Sequence, residues 1–153
     1  MNSNNLILFG HKASGKTYFG KKLAKQQKKK FIDTDRLIEK HYQKEFQQTL
    51  KCREIFNRLG EKEFRLLEKI IIKNLKGIKN TIIAVGGGSL LDPENLKALK
   101  KLGTFMRVQT DKETVRQRIF KSGIPPFLES EDPENAFEKF YEMREAFFSQ
   151  IEN

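Results

Sequence analysis

Cysteine is almost absent from the chain, because Cys52 is the only one in 153 residues. A lone cysteine excludes an internal disulfide and lacks the second thiol of a thiolate metal site, so Cys52 should pack as a small apolar side chain. Long apolar runs are absent too, since the one that begins at Leu6 is too short for a signal peptide or a membrane span. These absences predict a cytoplasmic protein with no membrane partner.

The composition shows no linker, repeat or second domain, and the chain is long enough for one hydrophobic core. We expect a single domain over residues 1–153. A formal net charge of +10 could indicate a nucleic-acid partner. However, the lysine cluster from Lys21 to Lys30 lacks the interleaved aromatic side chains of a single-strand binder, which favours a solvated face and no nucleic acid.

Strands and helices alternate along the sequence, which predicts an α/β fold with a central parallel sheet and helices on both faces. Short runs rich in Ile, Val, Leu or Phe predict strands at Leu6–Phe9, Lys30–Ile32, Thr81–Val85 and Thr104–Val108. Apolar spacing and Asp-Pro-Glu start patterns predict helices at Lys16–Gln27, Glu61–Asn74, Pro93–Lys101 and Pro133–Ser149.

The segment from Gly10 to Thr17, Gly-His-Lys-Ala-Ser-Gly-Lys-Thr, follows the first strand and is typical of a phosphate-binding P-loop. Its backbone N–H groups and the following helix N-terminus would hold phosphates. Lys16 would reach the β- and γ-phosphates, while the Thr17 hydroxyl would ligate Mg²⁺. A glycine-rich turn that binds nothing is the alternative. The predicted nucleotide-binding residues here are Ala13, Ser14, Gly15, Lys16, Thr17 and Tyr18.

Two aspartates stand at the end of the second predicted strand, in Phe31-Ile32-Asp33-Thr34-Asp35. In a parallel sheet the carboxyl ends of the strands carry the ligand crevice, so both carboxylates would face the phosphates. Asp33 suits the shell of a Mg²⁺ ion, and Asp35 could orient or deprotonate a substrate hydroxyl. Alternatively, Asp35 only caps a helix that begins at Arg36.

Two further features carry both a functional and a simpler interpretation. Gly86, Gly87 and Gly88 follow the third predicted strand, where they would let a ligand touch the backbone or would form a turn without a ligand. Arg65 and Glu68 are three residues apart on one predicted helix, and alone they would be interpreted as an exposed ion pair.

Together these residues resemble the shikimate kinase family, which has the P-loop kinase fold. The resemblance rests on the P-loop, the Asp-x-Asp of residues 33–35, the glycines of residues 86–88, Arg65 with Glu68, and Arg144 followed by Phe147 and Phe148. It implies ATP-dependent phosphorylation of a shikimate hydroxyl, which feeds aromatic amino-acid synthesis. It also implies a lid at about residues 121–132, and we expect a monomer.

The resemblance further implies roles for individual residues. Lys16 and Asp35 would be catalytic, Thr17 and Asp33 would hold Mg²⁺, and Arg118 would lie near the adenine of ATP. Glu68 would orient Arg65. The residues implied to hold shikimate are Asp35, Arg65, Gly87, Gly88 and Arg144.

The sequence departs from the family pattern in three places. Ala13 replaces a glycine of the P-loop, and Pro125 replaces a lid arginine whose charge can be worth on the order of 10³-fold in related phosphoryl transfers. The chain also ends at Asn153, where family members continue into one more strand and helix. Lys12 and Lys121 are the two candidates for supplying the missing charge. The alternative to an active kinase is a silent kinase fold that binds ligand without turnover.

Overall fold

The computed structural model describes residues 3–151, so both predicted domain ends, at Met1-Asn2 and Glu152-Asn153, lie outside the described residues. Within residues 3–151 the chain forms four strands, β1 (Leu6–Phe9), β2 (Lys30–Asp33), β3 (Thr81–Ala84) and β4 (Thr104–Arg107). Seven α-helices alternate with them: α1 (Lys16–Gln27), α2 (Thr34–Phe46), α3 (Cys52–Leu59), α4 (Glu61–Lys73), α5 (Pro93–Leu102), α6 (Lys112–Lys121) and α7 (Pro133–Ile151). No helix of this part of the chain is both long and apolar enough to cross a membrane.

The strands form one parallel sheet in the order β2-β3-β1-β4. Leu6 of β1 stands in register with Ile82 of β3 on one side and with Thr104 of β4 on the other. Because all four strands run in the same direction, their carboxyl ends meet at one edge of the sheet. The P-loop, the two aspartates and the three glycines therefore converge at that edge.

Helices cover both faces of the sheet, as the sequence predicted. Successive residues of a strand point to opposite faces. Ile7 and Phe9 of β1 belong to a buried cluster that includes Leu99 of α5 and Phe148 of α7, whereas Leu8 packs with Ala24 of α1. Full burial of a side chain of this size contributes about 1.5–3 kcal/mol, so β1 fixes the position of the P-loop that follows it.

Two smaller clusters hold the elements that surround the site. Helices α2, α3 and α4 bury Ile38, Ile55 and Phe64 together. Helices α6 and α7 bury Ile119 and Phe137 against Leu128, which ends a 3₁₀ turn at Pro126–Leu128 in the predicted lid. The lid segment is thus anchored to the fold through an apolar side chain.

The structure corrects the predicted elements in two ways. Helices α3 and α6 were not predicted, because α3 has only eight residues and α6 carries few apolar residues. Helix α2 follows β2 without a loop and was predicted only as an alternative, with its start at Arg36 instead of Thr34. Only α1 and β1 have the predicted bounds. The observed ends of the others differ by one or two residues, at Asp33, Lys73, Ala84, Leu102, Arg107 and Ile151.

Candidate active site

Two adjacent cavities open at the carboxyl edge of the sheet. The first, of about 390 Å³, is lined by every residue that the sequence predicted for nucleotide binding, including Arg118. The second, of about 340 Å³, is lined by every residue predicted to hold the second substrate. Four residues line both cavities: Lys12, Asp35, Gly86 and Gly87. Ligands bound in the two cavities would therefore lie side by side.

Lys16 begins α1 at the floor of the first cavity. Its Nζ donates to the backbone carbonyls of Gly10 at 3.0 Å and His11 at 2.8 Å. Burial lowers the pKa of Lys16 to about 8, although the nearby carboxylates of Asp35 and Asp33 oppose that shift. The ammonium therefore stays largely protonated at neutral pH and stands at the positive end of the helix, which suits phosphate oxygens.

Ala13 adopts a left-handed backbone conformation, with a φ of 64°. A non-glycine residue pays about 1–2 kcal/mol for this conformation, so the departure from the family's glycine carries a stability cost. The carbonyl of Ala13 accepts a hydrogen bond from the guanidinium of Arg118 at 3.0 Å. This contact places Arg118 against the P-loop, and its stacking on adenine stays a prediction.

Asp33 joins the first turn of α1 to the start of α2. Its Oδ2 accepts from the Thr17 hydroxyl at 2.8 Å, and its Oδ1 accepts from the Asp35 backbone N–H at 2.9 Å. Asp33 is therefore the cap of α2, which begins at Thr34. The alternative that Asp35 caps a helix starting at Arg36 is wrong, and the Asp35 carboxylate faces the cavities instead.

Asp33 and Thr17 also fit a magnesium ion, since carboxylate and hydroxyl oxygens are the hard ligands that Mg²⁺ prefers. Within residues 3–151, no group of three or more His, Cys, Asp or Glu side chains could hold a metal ion. An ion here would take its remaining ligands from phosphate oxygens and water, as is usual for Mg²⁺ in phosphoryl-transfer sites.

Asp35 lies at the junction of the two cavities. Burial raises the pKa of this carboxyl from 3.8 to about 6, and the neighbouring Asp33 and Glu68 add to the rise. A Cβ at Gly86 would stand only 2.9 Å from Asp35 Oδ1, so the glycine leaves space for the carboxylate. A carboxylate with a pKa close to neutral pH is suited to accept a proton from a hydroxyl.

Arg65 and Glu68 do not form an exposed helix pair, so the simpler interpretation of these residues is wrong. Glu68 is 2% exposed and accepts from Arg65 at 2.9 Å and from the Ser89 hydroxyl at 2.8 Å. A Cβ at Gly88 would lie 2.6 Å from an Arg65 guanidinium nitrogen. Glu68 and Gly88 together fix this guanidinium at the wall of the second cavity.

Arg144 supplies a second guanidinium to the same cavity. It lies over the Phe140 ring, 4.6 Å from the centroid, and donates to the Gly87 carbonyl at 2.8 Å. Burial and the positive charge of Arg65 lower the pKa of Arg144 to about 10, so the Arg144 guanidinium stays cationic at neutral pH. Two fixed guanidinium groups facing one cavity are suited to a carboxylate ligand.

His11 of the P-loop makes a contact that the sequence did not reveal. Its ring stacks on Tyr141 of α7 at 4.1 Å, and its Nε2 lies 2.8 Å from Glu145 Oε2. Burial lowers the pKa of His11 despite the adjacent carboxylate, and its buried Nδ1 has no partner within the described chain. A neutral ring that donates from Nε2 satisfies this geometry, because a proton on Nδ1 would have no acceptor.

The predicted lid segment contacts several neighbouring elements, and two of the partner residues, Arg53 and Phe140, had no predicted role. Arg53 of α3 donates to the Ser122 carbonyl at 3.0 Å, and Phe127 stacks on Phe140 at 4.4 Å. Leu128 of the same segment is buried against α6 and α7. Phe140 could have been anticipated, since it precedes Arg144 by four residues on one helix and i,i+4 side chains meet. The Arg53 contact joins residues far apart in sequence and left no local pattern.

Comparison with known proteins places this geometry in a family. The shikimate kinase family model matches residues 12–153. A shikimate kinase from Caldanaerobacter subterraneus subsp. tengcongensis is 38% identical over 94% of this chain and 81% of its own length. The chain belongs to the shikimate kinase family. Another shikimate kinase, from Hahella chejuensis, is 37% identical over 96% of this chain and 73% of its own length.

Solved shikimate kinases have the same fold. The enzyme from Acinetobacter baumannii, determined in complex with shikimate, aligns with a TM-score of 0.83 and 28% identity, over 96% of this chain and 79% of that one. The enzyme from Aquifex aeolicus aligns with a TM-score of 0.78 and 28% identity, over 97% of this chain and 83% of that one. Nothing in these comparisons favours the silent alternative over an active kinase.

Proposed function

We propose that the protein transfers the γ-phosphate of ATP to a hydroxyl of shikimate, giving shikimate 3-phosphate and ADP. The observation that carries this proposal is the pair of cavities that share Asp35, one built on a P-loop and the other on two guanidinium groups. A polyphosphate suits the first cavity, and a small hydroxylated carboxylate suits the second.

The roles of the residues follow from their positions. Arg65 and Arg144 would pair with the shikimate carboxylate and fix the ring, with the backbone of Gly87 and Gly88 beside it. Asp35 would accept the proton of the attacking hydroxyl while the oxygen forms its bond to the γ-phosphorus. The bond from that phosphorus to the β,γ-bridging oxygen then breaks, and ADP leaves.

Lys16 and the P-loop backbone would hold the β- and γ-phosphates in line with that hydroxyl, which removes most of the entropic cost of bringing the reactants together. Residues Ala13–Tyr18 and Arg118 would complete the nucleotide site. A Mg²⁺ ion held by Thr17 and Asp33 would neutralise charge on the phosphates. The lid at residues 121–132 would exclude water.

Beyond the two small-molecule substrates we expect no nucleic-acid or membrane partner, and we infer that the protein acts as a single-domain monomer in the cytoplasm. The residues proposed to hold both substrates line two adjacent cavities of one chain, so the proposed reaction needs no second subunit. Size-exclusion chromatography coupled to light scattering measures the mass of the species that carries the activity. A dimer as the active species would contradict this inference.

The test is ADP release by the purified protein with Mg·ATP, with and without shikimate. We expect shikimate-dependent ADP formation that Asp35→Asn reduces by at least about 10²-fold, the size of a lost general base. Binding of both ligands to the variant, measured by calorimetry, controls for its folding. If the wild type binds both ligands but releases no ADP, the silent alternative is correct.

A further inference from the structure

Lys12 occupies a unique position among the cations of the site. Within the described chain, Lys16 and Arg118 line only the nucleotide cavity, while Arg53, Arg65 and Arg144 line only the acceptor cavity. Lys12 alone of the basic residues lines both. Lys12 is therefore the cation that borders both the donor and the acceptor of a phosphoryl group transferred from the first cavity to the second.

The P-loop and the lid together hold Lys12 in place. Its backbone nitrogen would lie only 3.3 Å from a Cβ at Gly87, so the glycine permits the loop to approach. Its Nζ lies 5.4 Å from the centre of the Phe127 ring in the lid, within range of a cation–π contact. The ammonium therefore lies beside a ring of the predicted lid that also lines the acceptor cavity.

The positive charge of Lys12 is only partly balanced by the neighbouring groups, which include both Arg53 and Asp35. Although part of the side chain is exposed, desolvation lowers the pKa of Lys12, the positive charge of Arg53 adds to that effect, and the Asp35 carboxylate opposes it. An ammonium with reduced hydration interacts more strongly with an incoming anion than one in bulk water does. This environment suits a group that meets negative charge only during the reaction.

The predicted lid, residues 121–132, has no basic residue that lines either cavity. Lys121 is the only basic residue in segment 121–132, and it is exposed and lines neither cavity. Pro125 stands where the family pattern has an arginine. Of the two candidates for the missing charge, the structure therefore selects Lys12 and not Lys121.

We propose that Lys12 is a catalytic residue that stabilises the phosphoryl group in transit between ATP and the acceptor hydroxyl. The proposal rests on the proposed function and assigns to the P-loop a task that the lid arginine would otherwise perform. Because the charge on the equatorial phosphoryl oxygens changes most in the transition state, Lys12 should affect turnover more than substrate binding.

The first test is steady-state kinetics of Lys12→Met, which keeps an unbranched side chain and removes the charge. We expect kcat to fall on the order of 10²-fold while both KM values change less than about threefold. Lys12→Arg should recover much of kcat, and Lys121→Met should match the wild type. An unchanged kcat, or a change in KM alone, would overturn the proposal.

A second test separates this proposal from the reaction itself. Calorimetry compares binding of Mg·ADP alone with binding of Mg·ADP plus tetrafluoroaluminate, a mimic of the phosphoryl group in transit. In the wild type the fluoride complex should bind more tightly, and Lys12→Met should lose that gain while its affinity for Mg·ADP stays the same. A wild type without shikimate-dependent turnover would refute the proposed function, whereas an equal gain in both proteins would refute the role of Lys12.

Discussion

The hydroxyl of Thr17 lies 2.8 Å from Oδ2 of Asp33, which links the start of α1 to the end of β2. The other oxygen of Asp33 caps α2 at the Asp35 backbone N–H. One carboxylate thus serves both the local fold and the proposed metal site, and the two roles respond differently to the loss of its charge.

Asp33→Asn separates the two roles, because asparagine caps helices about as well as aspartate but binds Mg²⁺ weakly. We expect the free energy of unfolding to change by less than about 0.5 kcal/mol, while the Mg²⁺ concentration for half-maximal ADP release rises about tenfold or more. Magnesium titrations and thermal melts measure the two effects. Thr17→Ser, which keeps the hydroxyl, should change neither, and an unaltered Mg²⁺ dependence of Asp33→Asn would argue against a metal at this place.

Asp35→Asn should stabilise the protein at pH 7.5 while it removes activity. The pKa of Asp35 in the fold is about 6 against an ordinary value of 3.8, so the ionised form is disfavoured by folding. About two pKa units correspond to roughly 1–3 kcal/mol at pH values above 6. Denaturant unfolding at pH 7.5 measures the gain.

The raised pKa of Asp35 also determines how the stability gain of Asp35→Asn should change with pH. Between pH 4 and pH 6 the folded state binds the Asp35 proton that the unfolded state releases, so wild-type stability falls as pH rises through this window. Asparagine does not titrate, and the advantage of the variant should therefore shrink between pH 7.5 and pH 5. A variant less stable than the wild type at pH 7.5 would contradict the raised pKa.

Ala13→Gly should relieve the left-handed backbone of the P-loop. The strain of about 1–2 kcal/mol is partly offset by the greater entropy of glycine in the unfolded chain, so we expect a net gain of about 0.5–1 kcal/mol. Lys28→Gly is a matched control, since Lys28 has a φ of 55° at the end of α1 and lines neither cavity. Thermal melts that show a gain for Lys28→Gly but none for Ala13→Gly would mean that the loop relaxes around alanine.

Gly88→Ala should weaken acceptor binding by displacing Arg65. The backbone of Gly88 has a φ of −102°, which alanine tolerates, so the effect comes from the 2.6 Å approach of its Cβ to the guanidinium. We expect KM for shikimate to rise about tenfold, equal to about 1.4 kcal/mol, with KM for ATP unchanged. In an Arg65→Ala background the same substitution should add little, and additive effects of the two changes would exclude this mechanism.

The local features of the fold and site could be predicted from the sequence. The P-loop fixes both the end of β1 and the start of α1, so α1 was placed with its observed bounds. The residues predicted for each substrate line one common cavity, because parallel strands bring their following loops to one edge, and their roles in binding stay predictions.

Features that depend on distant partners could not be predicted. Spacing alone placed Arg65 beside Glu68, but the burial of Glu68 depends on Ser89, twenty-one residues further along the chain. The stack of His11 on Tyr141 likewise joins the first loop to the last helix. The sequence left open whether Asp35 caps a helix that begins at Arg36, because α2 follows β2 without an intervening loop and no local pattern marked Asp33 as the cap.

The residues that line both cavities also determine which linker chemistry would suit an inhibitor that occupies both cavities at once. A linker that joins a nucleotide mimic to a carboxylate-bearing ring would meet the residues that line both cavities, which are the ammonium of Lys12, the carboxylate of Asp35 and the backbone of Gly86 and Gly87. An anionic linker would gain from the first group and be repelled by the second. A neutral amide or sulfonamide supplies an acceptor for the Lys12 ammonium and a donor for the Asp35 carboxylate.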